Sequence, residues 1–353
     1  MTTPLGGRIR DLIRSEGPIP FERFQHLALY DPSGGFFAGD VLRSTKAGDF
    51  LTSPEVSPLF GRTLAAFVAD QAGRLGASPT LVEVAAGSGS LLRPLLGEMP
   101  DLDTWAVEVS PAARSALRSL LAPDRVVESL DEVPSPLAGV ILANELIDNL
   151  PVAIAARTAD GWEERWVGAD GNRLVLLPHP AREAVQQWCS RYGGPVSTGG
   201  LVEVQLEAEA WLRRALGMVS AGSVVVIDYG DTAEGLAPRR SHGTLRTYRA
   251  HHLGPDPLAE PGATDITSDV NFSALEAVAL EEGASVEYHR QDEFLESLGL
   301  RQALSELRHR ELELARDGDP MDRLRIRSIK TEAETLLHPR GLGDFRVLVA
   351  RKG

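Results

Sequence analysis

The chain has 353 residues, 43% of them hydrophobic and 24% charged, the mix of an ordinary globular protein. Its 36 Lys and Arg against 50 Asp and Glu leave a formal net charge of −14, which repels a phosphate backbone and argues against a nucleic-acid partner. A single cysteine, Cys189, excludes an intrachain disulfide framework, and no apolar run approaches the roughly 20 residues that a membrane-spanning helix needs.

At this length one elaborated domain or two closely packed ones are expected. The first residues carry neither a long apolar stretch nor an Arg/Ser-rich presequence, so a soluble, cytoplasmic protein is expected. From Arg8 to Leu29, apolar residues at helical spacing, interrupted by Gly17-Pro18-Ile19-Pro20, predict two short helices. Ser53-Pro54-Glu55 is a helix start, and the helix is predicted to run to about Leu75, ended by Gly76. Strands are then predicted at Thr80–Val84, Trp105–Val109, Val126-Val127 and the wholly apolar Gly139–Ala143, with helices between them. That alternation means crossover units and a parallel sheet, with the last of these strands central.

Between about residues 151 and 200 the pattern changes. Short strands at Ala153–Arg157, Glu163–Val167 and Arg173–Leu176, split by Asp160-Gly161 and Asp170-Gly171, predict a β insertion followed by a helix. Alternation resumes with a helix over Glu207–Val219 and a strand over Ser223–Tyr229. Helices then follow near 273–282, 292–298, 301–315 and 320–336. Two last strands, Ser285–His289 and Phe345–Arg351, suit an antiparallel addition at the sheet edge. The expected architecture is an N-terminal helical segment over residues 1–75 and a doubly wound α/β core over 76–353, interrupted by the insertion.

Four constellations can carry chemistry. The strand Val82-Glu83-Val84 runs into Ala85-Ala86-Gly87-Ser88-Gly89 and then a helix, a turn whose glycines let a ligand approach the backbone. Glu108 ends the next strand, 21 residues after Gly87, where an acid can accept both hydrogens of a ribose diol. Leu92 stands where a dinucleotide site wants its third glycine, and Glu83 would oppose a pyrophosphate. S-adenosylmethionine, with a sulfonium and no phosphate, therefore fits better than NAD.

The second constellation, Asn144-Glu145-Leu-Ile-Asp148-Asn-Leu-Pro151, puts polar groups directly after the apolar central strand, at the edge where open α/β sheets bind ligands. Glu145 and Asp148 are close enough to share a guanidinium or ammonium group; the bland alternative is a helix cap. The third is Gly48-Asp49-Phe50-Leu51-Thr52-Ser53-Pro54-Glu55, of which capping explains only the last three residues. The fourth is Gly243-Thr-Leu-Arg246 through His251-His252, then Asp265 to Asn271. Adjacent histidines point apart on a strand, so a metal pair is not expected, but one of them with Asp265 can accept a proton.

These blocks in this order resemble the MidA-like class I S-adenosylmethionine-dependent methyltransferases, and the resemblance covers nearly the whole chain. It is carried by Leu29-Tyr-Asp-Pro, Gly35-Phe-Phe, Gly48 to Ser57, Glu83 to Gly89 and Asn144 to Pro151. Asp228-Tyr-Gly230, Gly243 to Arg246, Pro261-Gly262 with Asp265-Ile-Thr267, and Gly343 to Leu348 complete it. The resemblance implies a Rossmann-like methyltransferase sheet, mostly parallel with an antiparallel edge strand. It implies S-adenosylmethionine on Glu83, Gly87, Gly89, Glu108 and Asn144, with Thr52, Ser53, Pro54, Glu55, Ser129 and Leu130 as further cofactor-pocket residues. The family's mitochondrial member is an arginine methyltransferase of respiratory complex I assembly. The resemblance thus implies an arginine-bearing protein substrate, a respiratory complex subunit among the candidates.

Two departures stand out: Ala86 replaces the proline usual before the first glycine, and Val270-Asn271-Phe272 replaces Val-Asp-Phe, a change that bears on substrate choice. The expected step is in-line attack of a substrate nitrogen on the methyl group, with Glu145 and Asp148 orienting a protonated guanidinium and His251 a further base. The alternatives are an O- or N-methyltransferase of a small molecule or peptide, and a non-catalytic assembly factor.

Overall fold

The apolar runs build one twisted sheet whose two faces are both covered. In the computed structural model, which describes residues 3–39, 42, 52–249 and 252–353, seven strands are hydrogen-bonded in one sheet. Their spatial order is Ser285–Arg290, Arg346–Lys352, Val219–Asp228, Leu137–Asn144, Thr80–Val84, Thr104–Val107 and Val126–Val127. The last five are mutually parallel. Arg346–Lys352 runs antiparallel to both neighbours, so the reversed strand lies one place in from the edge, which Ser285–Arg290 forms.

Alternate residues serve opposite faces, as the strand period of two requires. Val225 and Ile227 join Phe67, Leu81, Leu142 and Val347 in one core, while Val224 and Val226 join Leu212, Ile141, Leu275 and Leu348 in the other. The chain moves outward from Thr80–Val84 and then returns to its other side with Leu137–Asn144. The crevice at this reversal, beyond the carboxyl ends of the two strands, is where such sheets bind ligands.

The insertion is a separate antiparallel sheet of Ala153–Arg157, Trp162–Asp170, Arg173–Pro180 and Leu201–Val204, to which Ile19–Pro20 adds a short fifth strand. The last two were not expected: one is four residues long and the other is a two-residue pairing that includes a proline. The helices Pro4–Glu16 and Phe21–Tyr30 pack on this sheet through Ile9, Phe24 and Leu29 against Ile154 and Val167. Arg182 clasps the two together, donating to both Glu22 oxygens and to Glu164.

The helix expected over 53–75 is two helices, Ser53–Val56 and Pro58–Leu75. Pro58 drives the preceding residue out of the helical region, and Ser57 is extended, its hydroxyl accepting from the Leu59 N–H. Beyond the central strands, Arg246–Arg249 pairs antiparallel with His252–Leu253 and Asp265–Thr267. No helix among the described residues is long and apolar enough to cross a membrane.

Candidate active site

The turn after Thr80–Val84 is tight enough to need left-handed backbone three times, at Ala85 (φ 58°), Gly87 (φ 53°) and Gly89 (φ 79°). Ala85 has a side chain and so carries real strain, which the surrounding structure must hold in place. Glu108 ties the turn to the next strand: the Gly87 N–H donates to its Oε2 and the Ser110 N–H to its Oε1, both at 2.8 Å. Burial raises this carboxyl above its ordinary range, and the two N–H bonds work against that rise. Glu83, buried on the adjacent strand, is raised well above the ordinary carboxylate range by burial and then by the charge of Glu108.

Leu137–Asn144 is followed directly by a second strained residue, Glu145, at φ 52°. Its carboxylate oxygen Oε1 accepts from the Ser53 N–H and from Asn144 Nδ2, each at 3.3 Å. Burial, followed by the nearby Asp148, pushes this carboxyl up to about 8. Asp148 is also raised by burial, and the Tyr229 hydroxyl, donating to its Oδ2 at 2.6 Å, counters the rise. Beneath them Asp228 is fully buried. It accepts from the Ile147 and Asp148 N–H groups through Oδ2 and from the Tyr229 N–H through Oδ1, which seats the whole turn.

Both turns face one cavity of about 1670 Å³. Of the residues singled out in the sequence, Thr52, Pro54, Glu83, Gly87, Glu108, Ser129, Leu130, Asn144, Glu145 and Asp148 line it. Ser53 lies behind the wall, reaching Glu145 with its N–H, and Glu55 turns back to accept from the Thr52 N–H as a cap. Gly89 also stands off the cavity. A Cβ there would lie 3.2 Å from both Leu117 and Leu120, so this glycine admits close packing of the end of the helix Pro111–Leu117 and the turn after it. His251 lies outside the described residues, as do Gly48-Asp49-Phe50-Leu51, and His252 is exposed. Asn271 does not line the cavity: its Nδ2 donates to the Tyr192 carbonyl at 2.9 Å, a bond an aspartate could not make.

Other lining residues were not singled out as site residues, notably Tyr30, Trp211, Tyr229, Arg239 and Asp269. Tyr229 was within reach, because it follows the apolar strand Val219–Asp228 as Glu145 follows its own. Arg239 ends a short 3-10 helix, Ala237–Arg239, with no sequence pattern to mark it.

Among the described residues, Glu83 Oε2, Asn144 Oδ1 and Asp148 Oδ1 are buried without a hydrogen-bond partner, and all three residues line the cavity. Two carboxyl oxygens and an amide oxygen left open in a cavity that the glycine turn also lines fit a cationic nucleoside cofactor better than a pyrophosphate. Fold and site together define a Rossmann-like α/β enzyme with a nucleoside-type cofactor pocket.

Comparison with known proteins narrows the class. A family model for S-adenosyl-L-methionine-dependent methyltransferases matches residues 61–289. The chain is 29% identical over 341 residues to the Mus musculus mitochondrial protein arginine methyltransferase NDUFAF7, spanning 84% of this chain and 74% of that protein. With the Homo sapiens protein of the same name it shares 28% identity over 340 residues, with the same two coverages. The crystal structure of a methyl transferase candidate from Burkholderia thailandensis, bound to S-adenosyl-homocysteine, is 30% identical to it. That structure superposes with a TM-score of 0.87, covering 99% of this chain and 92% of the other. The chain belongs to this S-adenosyl-L-methionine-dependent methyltransferase family and is a methyltransferase that uses that cofactor.

Proposed function

We propose that the protein methylates an arginine side chain of a protein substrate, with Glu145 and Asp148 as the groups that receive the guanidinium. The observation carrying this reading is the pair of carboxyls after the central strand, Glu145 half-buried and Asp148 buried with an open oxygen, lining the same cavity as the glycine turn. The names of the mouse and human relatives support the acceptor class.

When bound, S-adenosyl-L-methionine supplies a methyl group made electrophilic by the sulfonium. The chain's own residues do the rest. Glu108, fixed by two N–H groups, presents its remaining lone pairs to a ribose diol, while Gly87 leaves room for close approach. Glu83 and Asn144 offer open oxygens to the cationic end of the cofactor. Thr52, Pro54, Ser129 and Leu130 complete this pocket as wall residues.

A guanidinium is protonated below about pH 12, so the attacking nitrogen must shed a proton as it alkylates. Glu145 and Asp148, deprotonated by the arrival of that cation, orient it and take up the proton. The acidic balance of the protein favours a cationic partner. Replacing the acids one at a time tests the assignment: Glu145→Gln and Asp148→Asn should each lower turnover at least ten-fold while calorimetric affinity for S-adenosylhomocysteine is kept. If both variants label a lysate protein at the wild-type rate, these residues do not carry the reaction.

A further inference from the structure

The cavity wall is dominated by acids, yet one part of it has an excess of positive charge. Among the described residues its cationic side chains are Arg23, Arg214, Arg239 and Arg246. Arg23 pairs with Glu16 and Arg214 with Asp131, one acid to each base. Arg239 and Arg246 instead share Asp269: Arg239 Nη1 lies 2.6 Å from Oδ2 and Arg246 Nη1 lies 2.9 Å from Oδ1. Among the described residues, two guanidinium groups on one carboxylate leave a surplus of one positive charge.

The carboxylate between them is built in. Asp269 has a side chain 1% exposed, whereas the arginine side chains are 41% and 36% exposed. The Asp269 N–H donates to Thr244 Oγ1, its carbonyl accepts from Gln205 Nε2, and the Thr244 hydroxyl donates in turn to Glu203. Each guanidinium has five N–H donors in a fixed fork, so bonding to Asp269 leaves further donors free to take a second carboxylate. The clamp also adjoins the acceptor end of the cavity. The Ser268 N–H, one residue before Asp269, donates to the Asp148 carbonyl at 3.0 Å.

We propose that Arg239 and Arg246, held on Asp269, form a receptor for a carboxylate of the methyl acceptor, so that the arginine to be methylated lies close to an acidic residue of the substrate. The inference rests on the arginine reading above and narrows it to arginines in an acidic setting. The same chemistry could serve the cofactor's own carboxylate, and the experiment separates the two sources.

The full-chain protein, saturated with S-adenosylhomocysteine, is titrated calorimetrically with four short peptides: arginine flanked by Glu, arginine flanked by Gln, and both with citrulline in place of arginine. The expected result is a preference of about ten-fold for Glu over Gln flanks in the wild type, the scale of a charge-assisted hydrogen bond. Arg239→Gln should abolish that preference and Arg239→Lys should retain most of it. The Gln variant leaves Arg246 on Asp269, so the buried carboxylate stays paired. Equal binding of Glu and Gln peptides to the wild type overturns the proposal, as does no binding of any peptide.

An equal loss of both peptides in Arg239→Gln overturns it too, because the clamp would then be structural. If that variant instead weakens S-adenosylhomocysteine and spares methylthioadenosine, which lacks the carboxylate, the receptor serves the cofactor and the proposal fails. Glu preference that persists with citrulline peptides bound as tightly as arginine ones would sink the arginine reading and leave the clamp standing.

Discussion

Desolvation and the nearby Asp148 push the half-buried Glu145 carboxyl up to about 8, and a guanidinium needs it ionised. The second-order rate constant, which reports groups of the free enzyme, should therefore rise with pH toward about 8 and level off above it. Measuring kcat/KM from pH 6 to 9.5 tests this; a flat profile would detach Glu145 from the reaction. The same group bears on stability. Below pH 4 the Glu145 carboxyl is protonated in both folded and unfolded chains and contributes no slope. Between about 4 and about 8 the unfolded chain has lost the proton while the folded one keeps it, so stability falls as pH rises, and then the loss stops. Glu145→Gln removes that penalty. Its melting temperature should exceed that of the wild type by a few degrees at pH 8.5 and match it at pH 4, a comparison scanning calorimetry can make.

At the scale of elements, the helix Pro58–Leu75 lies against Leu92–Glu98 at Gly61, where an added Cβ would meet the Leu91 carbonyl oxygen at 2.5 Å and Pro94 at 2.7 Å. Backbone cannot yield as a side-chain tip can. Gly61→Val should cost about 2–3 kcal/mol in urea denaturation; a cost below about 0.5 kcal/mol would mean the two helices are free to part. Gly61 gave no signal in the sequence, because close approach is made by a partner thirty residues away. The strands were legible for the opposite reason. Val224–Ile227 and Val140–Ala143 are apolar on both faces, and buried parallel strands need that locally. Leu201–Val204 escaped notice because it is short and runs straight toward the next helix. In the site, Glu145 and Asp148 stood out as acids at the end of an apolar run. Arg239 and Asp269 acquire meaning only when the fold sets them 2.6 Å apart.

For the whole molecule, the N-terminal helices and the inserted sheet form one body that walls the cavity from outside the core, with Glu22, His26 and Tyr30 on its inner side. Arg182 holds that body shut by engaging Glu22 and Glu164, and Glu164 is almost wholly buried. Arg182→Ala leaves the Glu164 charge unpaired. Because the arginine itself is partly exposed, the expected cost is at the lower end for a buried pair, about 2 kcal/mol. Amide exchange should then quicken in Phe21–Tyr30 and leave Val219–Asp228 unchanged, and protection kept in that helix would show that the apolar contacts suffice.

The reversed strand Arg346–Lys352 sets an order of events during synthesis. The first five strands of the core sheet, with the crevice between Thr80–Val84 and Leu137–Asn144, emerge from the ribosome well before it. Until it arrives, Val219–Asp228, whose Val224–Ile227 run is wholly apolar, has an unpaired edge open to any neighbouring nascent chain. The cofactor crevice can thus form early, but protection from aggregation arrives only with the last strand, which makes residues 346–352 the point at which the newborn enzyme becomes safe in a crowded cell.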